Sequence, residues 1–271
     1  MKSTPYLILI AISYACSQPV TIVHIESTKS TVPPTNMPKP AIPLQASWQI
    51  QYTGTMDYSL AVDIYNLDLF DTEATVIDDL KSRGIFVMCY FSAGSYEDWR
   101  PDTSAFPADV LGNDMEGWPG EKWLDIRQLE TIIPIMEARL DLAHQKGCDG
   151  VDPDNVNAYA NETGFSLSSQ DQFTYNVFLA EAAHARGLWI GLKNDLEQIP
   201  ELLPYYDWAL NEECFAYDEC HLLLPFIQAG KPVFVIEYET LPEEFCPQAN
   251  KMGFNAIQKN WQLDSFLRAC R

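Results

Sequence analysis

Positive charge is scarce in this sequence. Lys and Arg number 17 against 38 Asp and Glu, a formal net charge of −21. Such a surface repels phosphate, which argues against a nucleic acid partner and leaves room for a cationic one. Several signatures are missing as well. No G-x-G-x-x-G opens a helix, so a dinucleotide-binding unit has no support. There is no G-x-S-x-G elbow for a serine hydrolase and no P-loop for a nucleotide. No C-x-x-C occurs, and only His221 neighbours a cysteine, so structural zinc has no support either. His144 and His184 fall in helical stretches away from the strand ends and read as surface or capping residues.

The first residues, "MKSTPYLILIAISYAC", carry Lys2, an apolar run and small residues before Cys16. That run is about 11 residues, a signal-peptide length and too short for a bilayer-spanning helix. Residues 1–15 are therefore expected to be a signal peptide. Processing before Cys16 resembles that of a bacterial lipoprotein, with a lipid anchor on Cys16, although Ser13 stands where Leu is usual. Ordinary cleavage after Ala15 is the other route. Both export the protein, either secreted or lipid-anchored at the cell envelope. Residues 16–43 are rich in Pro, Ser and Thr and read as a linker. Export permits disulfides. Cys214 and Cys220 stand close enough for a local clasp, and Cys246 and Cys270 bracket the last segment. Cys89 and Cys148 are open between a pair and buried thiols.

From residue 44 to 271 the texture is that of one α/β domain. Helical stretches end at Gly84, Gly147, Gly187 and Gly230, and each is followed by an apolar strand. A fifth Gly-then-strand step occurs in "NKMGFNAIQKN". Glycine accepts the left-handed conformation that stops a helix. Repeated helix–Gly–strand units imply parallel strands with helical crossovers. Strands apolar on both faces fit a sheet covered by helices. The reading is a (β/α)8 TIM barrel of eight strands, or nine if "KWLDIR" counts, with an open doubly wound sheet as the alternative.

In such a barrel the C-terminal strand ends carry function. Here they are polar. "YNLDLFD" delivers Asp68, and "CYFSAGSYEDW" delivers Tyr90 and Ser92. "KWLDIR" delivers Asp125, and "GVDPDN" delivers Asp152, Asp154 and Asn155. "IGLKN" supplies Lys193 and Asn194, "WALNEE" supplies Asn211 and Glu212, and "FVIEYE" supplies Glu237 and Tyr238. Alternation along a strand puts Asp152 and Asp154 on one side, with Asp154 nearer the mouth. Two carboxylates from different strands can divide the work of glycosidic cleavage, one giving a proton and the other attacking at carbon. Trp99, Trp118 and Trp123 sit in or near long post-strand loops, where indole faces can stack on sugar rings.

The segments "WQIQYTG", "YNLDLFD", "CYFSAGSYEDWRPD", "GWPGEKWLDIR", "GCDGVDPDNVNAY", "GLKND", "NEEC" and "KPVFVIEYE" together resemble glycoside hydrolase family 114. That family contains endo-α-1,4-polygalactosaminidases with a TIM-barrel domain. The resemblance runs from about Ala46 to Cys270. It implies an endo-acting hydrolase of α-1,4-linked galactosamine-containing polysaccharide. The family's catalytic acids, the Asp of "DN" and the Glu of "NE", fall on Asp154 and Glu212. Asp68, Tyr90, Ser92, Asp125, Asp152, Asn155, Lys193, Asn194, Glu237 and Tyr238 become candidates for binding substrate. Family members with Glu in place of Asp152 weigh against Asp152 as an essential group. No cofactor and no metal is implied. A non-catalytic carbohydrate-binding lipoprotein, or a hydrolase of another α-linked sugar, is the alternative.

Overall fold

The computed structural model describes residues 42–271. The signal segment, Cys16 and nearly all of the linker lie outside the described residues. Three parallel strands come first: β1 (Trp48–Gln51), β2 (Ile64–Asp68) and β3 (Phe86–Ser92). A small antiparallel sheet is inserted next, from β4 (Ser95–Glu97), β5 (Leu111–Asp114) and β6 (Glu121–Leu124), in the order β4-β6-β5. The parallel series resumes with β7 (Gly150–Asp154), β8 (Trp189–Lys193) and β9 (Trp208–Glu212). It ends with β10 (Val233–Glu237) and β11 (Asn255–Gln258). Each of these strands pairs in parallel with the next. A two-residue β12 (Arg268–Ala269) adds to β11 antiparallel.

The nine-stranded sheet is curled. β1 and β10 are six steps apart in strand order, so a flat sheet would hold them roughly 29 Å apart at about 4.8 Å per step. Instead the rings of Trp48 and Phe234 meet at 5.1 Å. Alternate residues from β1, β2, β3, β9, β10 and β11 share this inner core, among them Ile50, Ile64, Met88, Leu210 and Ile257. Gly150 and Gly191 face the same interior, and the absence of a side chain there leaves space for the Trp208 indole. Residues between the inward positions, such as Leu67, Val87, Val151 and Val235, belong to a second, larger core.

Helices supply the other half of that larger core. α1 (Ala74–Ser82) buries Ile77 and Leu80. α2 (Leu129–Lys146) buries Ile132, Ile135, Met136, Leu140 and Ala143, a stripe at helical spacing. α3 (Ser169–Ala185) starts with a capping box between Ser168 and Asp171 and buries Tyr175, Leu179 and Ala183. α6 (Pro242–Met252) buries Phe245 and Ala249. The glycines that follow these helices, Gly84, Gly147, Gly187 and Gly253, all have positive φ, as does Gly230.

Two features differ from the sequence reading. "KWLDIR" forms β6 of the inserted sheet, not a ninth parallel strand. The ring of helices is also incomplete. α4 (Ile199–Leu202) and α5 (Leu224–Gln228) are about one turn each, and no helix joins β1 to β2. In that connection Met56, Tyr58, Leu60 and Val62 recur at every second position and pack on the core, a period that a helix cannot present to one side.

Among the described residues there are three disulfides: Cys89–Cys148, Cys214–Cys220 and Cys246–Cys270. The first joins β3 to the turn two residues ahead of β7. The third ties α6 to the C-terminal segment. That segment also reaches β1. Leu263 O accepts from Tyr52 N at 2.9 Å, and Lys259 Nζ donates to Gln49 Oε1 at 2.8 Å.

Candidate active site

The inward positions change character toward the C-terminal strand ends. Below them lie Trp48, Ile64, Met88 and Phe234; at the ends stand Asp68, Tyr90, Asp154, Lys193 and Glu212. These polar residues line a cleft of about 370 Å³. Lys193 Nζ lies 3.1 Å from Asp154 Oδ2 and 3.3 Å from Glu212 Oε2, so one ammonium bridges two carboxylates. Burial opposes a charge on Lys193, but Asp154, Glu212 and Asp152 outweigh it and hold the ammonium well above its ordinary pKa.

Glu212 is held by three donors. Tyr238 Oη donates a short bond to Oε1, and Asn194 Nδ2 donates to Oε2 at 3.1 Å beside Lys193. Burial pushes the carboxyl up, yet Lys193 and these hydrogen bonds prevail, and its pKa lies below the ordinary value. Asn194 Oδ1 also accepts from Glu212 N at 3.0 Å. Asp154 accepts from Lys193 on one oxygen and from Asn155 N, at 2.8 Å, on the other. Asn155 sits at φ 61, a conformation Asn tolerates better than most residues. Its side chain donates to Ser92 Oγ at 2.8 Å and to Glu121 Oε1 at 3.2 Å.

The remaining candidates take different places. Asp68 lines the cleft, but its carboxylate is held by Arg100 at 3.0 and 2.7 Å, and Arg100 forks to Glu97 as well. Tyr90 stacks against Tyr52 with centroids 4.4 Å apart. Asp152 lies beneath the cleft, fully buried, and accepts from Asn66 Nδ2 at 2.8 Å. Burial pushes its pKa up to about 6. Ser92 is buried in the network of Ser95, Asn155 and Glu121. Glu237 accepts from Phe215 N at 2.8 Å and so braces the loop after Glu212. Asp125 is paired with Arg127 outside the cleft lining.

Trp99 and Trp118 line the cleft and are half exposed, while Trp123 is buried. Residues that the sequence reading passed over complete the walls. Trp261 stacks on Trp118 at 6.3 Å and meets Tyr238 edge-on at 4.7 Å. Arg100 and Glu121 come from the inserted sheet and the turn after β4. Burial raises Glu121 to about 7. Arg100 and Glu121 fall within the family-resembling segments "CYFSAGSYEDWRPD" and "GWPGEKWLDIR"; Trp261 gave no signal, since it follows the last parallel strand.

A second pocket of about 290 Å³ shares Glu212 and Asn194 with the cleft. Its lining includes Tyr159, Asp195, Glu197, Asn211, Tyr217 and Glu219. Burial raises the Asp195 carboxyl to about 7. Tyr217 and Glu219 lie on the loop clasped by Cys214–Cys220.

Comparison with known proteins adds to this geometry. The family model for glycoside hydrolase family GH114 matches residues 27–271. The crystal structure of Aspergillus fumigatus Ega3 in complex with galactosamine is similar at 41% identity and TM-score 0.81, covering 85% of this chain and 97% of that one. The glycoside hydrolase domain of PelA from Pseudomonas aeruginosa shares the fold at 15% identity and TM-score 0.66, over 82% of this chain and 98% of its own. An uncharacterised protein of Deinococcus radiodurans is 27% identical, over 78% of this chain and 80% of its own.

Proposed function

The chain belongs to glycoside hydrolase family 114 and is a glycoside hydrolase; on that premise we propose that it cuts α-1,4-linked galactosamine polymers internally, with Asp154 and Glu212 as the catalytic pair. The observation that carries this reading is the single Lys193 ammonium touching both carboxylates at the floor of the cleft. Ega3, similar over most of both chains, was crystallised with galactosamine. The curled sheet is read as a (β/α)8 barrel with a reduced set of helices.

Cleavage of a glycosidic bond needs a proton for the leaving oxygen and a carboxylate at the anomeric carbon. The pair can supply both from opposite edges of one sugar. Lys193 neutralises part of their mutual repulsion in the free enzyme. Tyr238 and Asn194 fix the Glu212 carboxylate, so that little reorganisation is needed when charge develops. Because one ammonium reaches both groups, their facing oxygens lie no farther apart than those two contacts laid end to end. That ceiling falls between the about 5–5.5 Å of retaining pairs and the about 6.5–9.5 Å of inverting ones, so retention is proposed on the family resemblance.

Among the binding candidates, Asp68, Tyr90, Asn155, Lys193, Asn194 and Tyr238 line the cleft. Their proposed role is direct or charge-assisted contact with substrate. Asp152, Ser92 and Glu237 are proposed to support those groups from beneath. Trp99, Trp118 and Trp261 offer faces for sugar rings. Three disulfides favour an oxidising compartment, in keeping with an exported protein that is secreted or held by a lipid on Cys16. The test is incubation of residues 44–271 with purified α-1,4-polygalactosamine and mass analysis of the products. Internal oligosaccharides released early support endo cleavage. An intact polymer removes the substrate assignment.

A further inference from the structure

Asn155 supplies the amide that steadies Asp154, through the 2.8 Å bond from its N to Asp154 Oδ1. A flip of the peptide between the two residues would carry that N–H away and return φ of Asn155 from 61° to the negative region. A left-handed residue persists where its surroundings over-determine it. Two sets of contacts do so here. The backbone is seated against Gly94, where a β-carbon would stand 1.7 Å from Asn155 O, and Ala93 N and Gly94 N donate to Asp154 O at 2.8 and 3.1 Å. The Asn155 side chain donates to Ser92 Oγ at 2.8 Å, and to Ser95 Oγ and Glu121 Oε1 at 3.2 Å each.

The hydroxyl hydrogens in this network run in one direction. Ser92 Oγ accepts from Asn155 Nδ2 and from Ser95 N at 3.1 Å, which fills both of its lone pairs. Its own hydrogen therefore goes to Ser95 Oγ. Ser95 in turn gives its hydrogen to Glu121 Oε1 in a short bond. Both serines are fully buried, so neither hydroxyl can turn to solvent. Glu121 is thus the acceptor at the end of the chain. Without it, the Ser95 hydroxyl would turn back on Ser92 and contest the place of the Asn155 amide. The acceptor need not be charged: a protonated carboxyl keeps an accepting oxygen, and so does the amide of Gln.

We propose that Glu121, the first residue of β6, is a positioning residue for Asp154: it anchors the serine chain that holds the Asn155 side chain, and through it the peptide that orients the carboxylate. The inference rests on the reading of Asp154 as one of the cutting pair. It gives the inserted sheet a part in the chemistry, since Ser95 comes from β4 and Glu121 from its antiparallel partner β6. The rival role is direct contact with substrate, because Glu121 lines the cleft, whereas Ser95 does not.

Kinetics on the galactosamine polymer separate the two roles. E121A should lower kcat about 10–100-fold, as misplacement of a reacting group by up to about 1 Å does, and leave KM within about twofold. E121Q should recover most of that loss. S95A should lower kcat about three- to tenfold, the size of one neutral hydrogen bond, and carries the test if E121A does not fold. In N155A the route is already cut, so adding E121A should change kcat by less than about twofold. A rise in KM as the main effect of E121A, with S95A at the wild-type kcat, would make Glu121 a substrate contact and overturn the proposal. Independent, multiplying losses in the double variant would overturn it too. Crystal structures of E121A and E121Q keep this apart from the substrate reading: in E121A alone the Asp154 carboxylate should turn away from Lys193. That turn, in a protein whose wild type leaves the polymer intact, would sink the substrate reading and keep the positioning. Cleavage by the wild type with Asp154 unmoved in E121A would sink the positioning alone.

Discussion

Trp208 lies across Gly191 so closely that a β-carbon on that glycine would come within 2.0 Å of the indole Nε1. Gly150 is nearly as tight, with a β-carbon 2.7 Å from the same indole. Trp208 is fully buried, and shifting an indole in a close-packed interior is costly. G191A should therefore cost about 2–3 kcal/mol or more, at the upper end for overpacking. The urea midpoint measures it. Combining G191A with W208F should recover part of the loss, and a midpoint equal to wild type for G191A alone would show that the floor of the curl can move.

Lys193 is expected to be indispensable. In K193M the two carboxylates face each other with no ammonium between them, and one of them takes up a proton in the neutral range. Turnover should fall by about 100-fold, because the ammonium that positions both carboxylates is gone, although one protonated and one ionised carboxyl is itself the working state. The acidic limb of the pH–rate profile should also move upward. A profile that keeps its wild-type limb would separate Lys193 from the ionisation of the pair.

D154N and E212Q should each lower turnover by about 10²–10⁴-fold, the range for loss of one acid–base group. Circular dichroism should change little, because each amide keeps the shape of the acid, while the melting temperature should fall modestly as buried Lys193 loses one of its two carboxylates. Normal hydrolysis by either variant removes that residue from the pair. Proton NMR of the first product anomer tests retention directly: an α product seen before mutarotation is the expected result.

Stability should decline as pH rises from about 4 to 7. Burial raises Asp152 to about 6, and Glu121 and Asp195 to about 7. Each pKa is higher folded than unfolded, so the native state holds protons that the unfolded chain releases, and ionisation costs stability across that window. Glu212, Asp171 and Asp264 have lowered values and act oppositely, losing their contribution only as pH falls below the ordinary carboxylate range. The urea midpoint should be higher at about pH 5 than at pH 8, with E121Q and D195N flattening the difference. A higher midpoint at pH 8 would contradict a net cost of ionising these three buried carboxyls.

Added salt should raise the apparent KM for a deacetylated polymer. The chain carries a formal charge of −21, and exposed charges attract a polycation across a distance that salt shortens. Initial rates at low and high ionic strength give the answer. A KM insensitive to salt would confine recognition to short-range contacts.

Much of this was legible because the signals were local. A glycine after a helix and a polar residue at the end of an apolar strand are read within about ten residues. Alternation alone put Asp152 and Asp154 on one side, and both face inward. What escaped was set by distant partners. Asp68 looked available, yet Arg100, 32 residues on, holds it. "KWLDIR" has the composition of a strand, but only its antiparallel partner Ser95–Glu97 assigns it to the small sheet. Trp261 reached the cleft because the C-terminal segment turns back to β1, over 200 residues earlier in sequence.

That returning segment also sets an order of assembly. Trp261 and Leu263 line the cleft, Leu263 O receives the Tyr52 amide, and Cys270 closes the last disulfide. A ribosome makes β1 among the first parts of the domain and these residues among the last. The cleft is thus unfinished through almost the whole synthesis of this domain. A chain halted at residue 260 would retain its parallel strands, Asp154 and Glu212, yet lack Trp261, Leu263 and the bond from Leu263 O to Tyr52 N. Completion of the cleft therefore waits for the last residues of the domain.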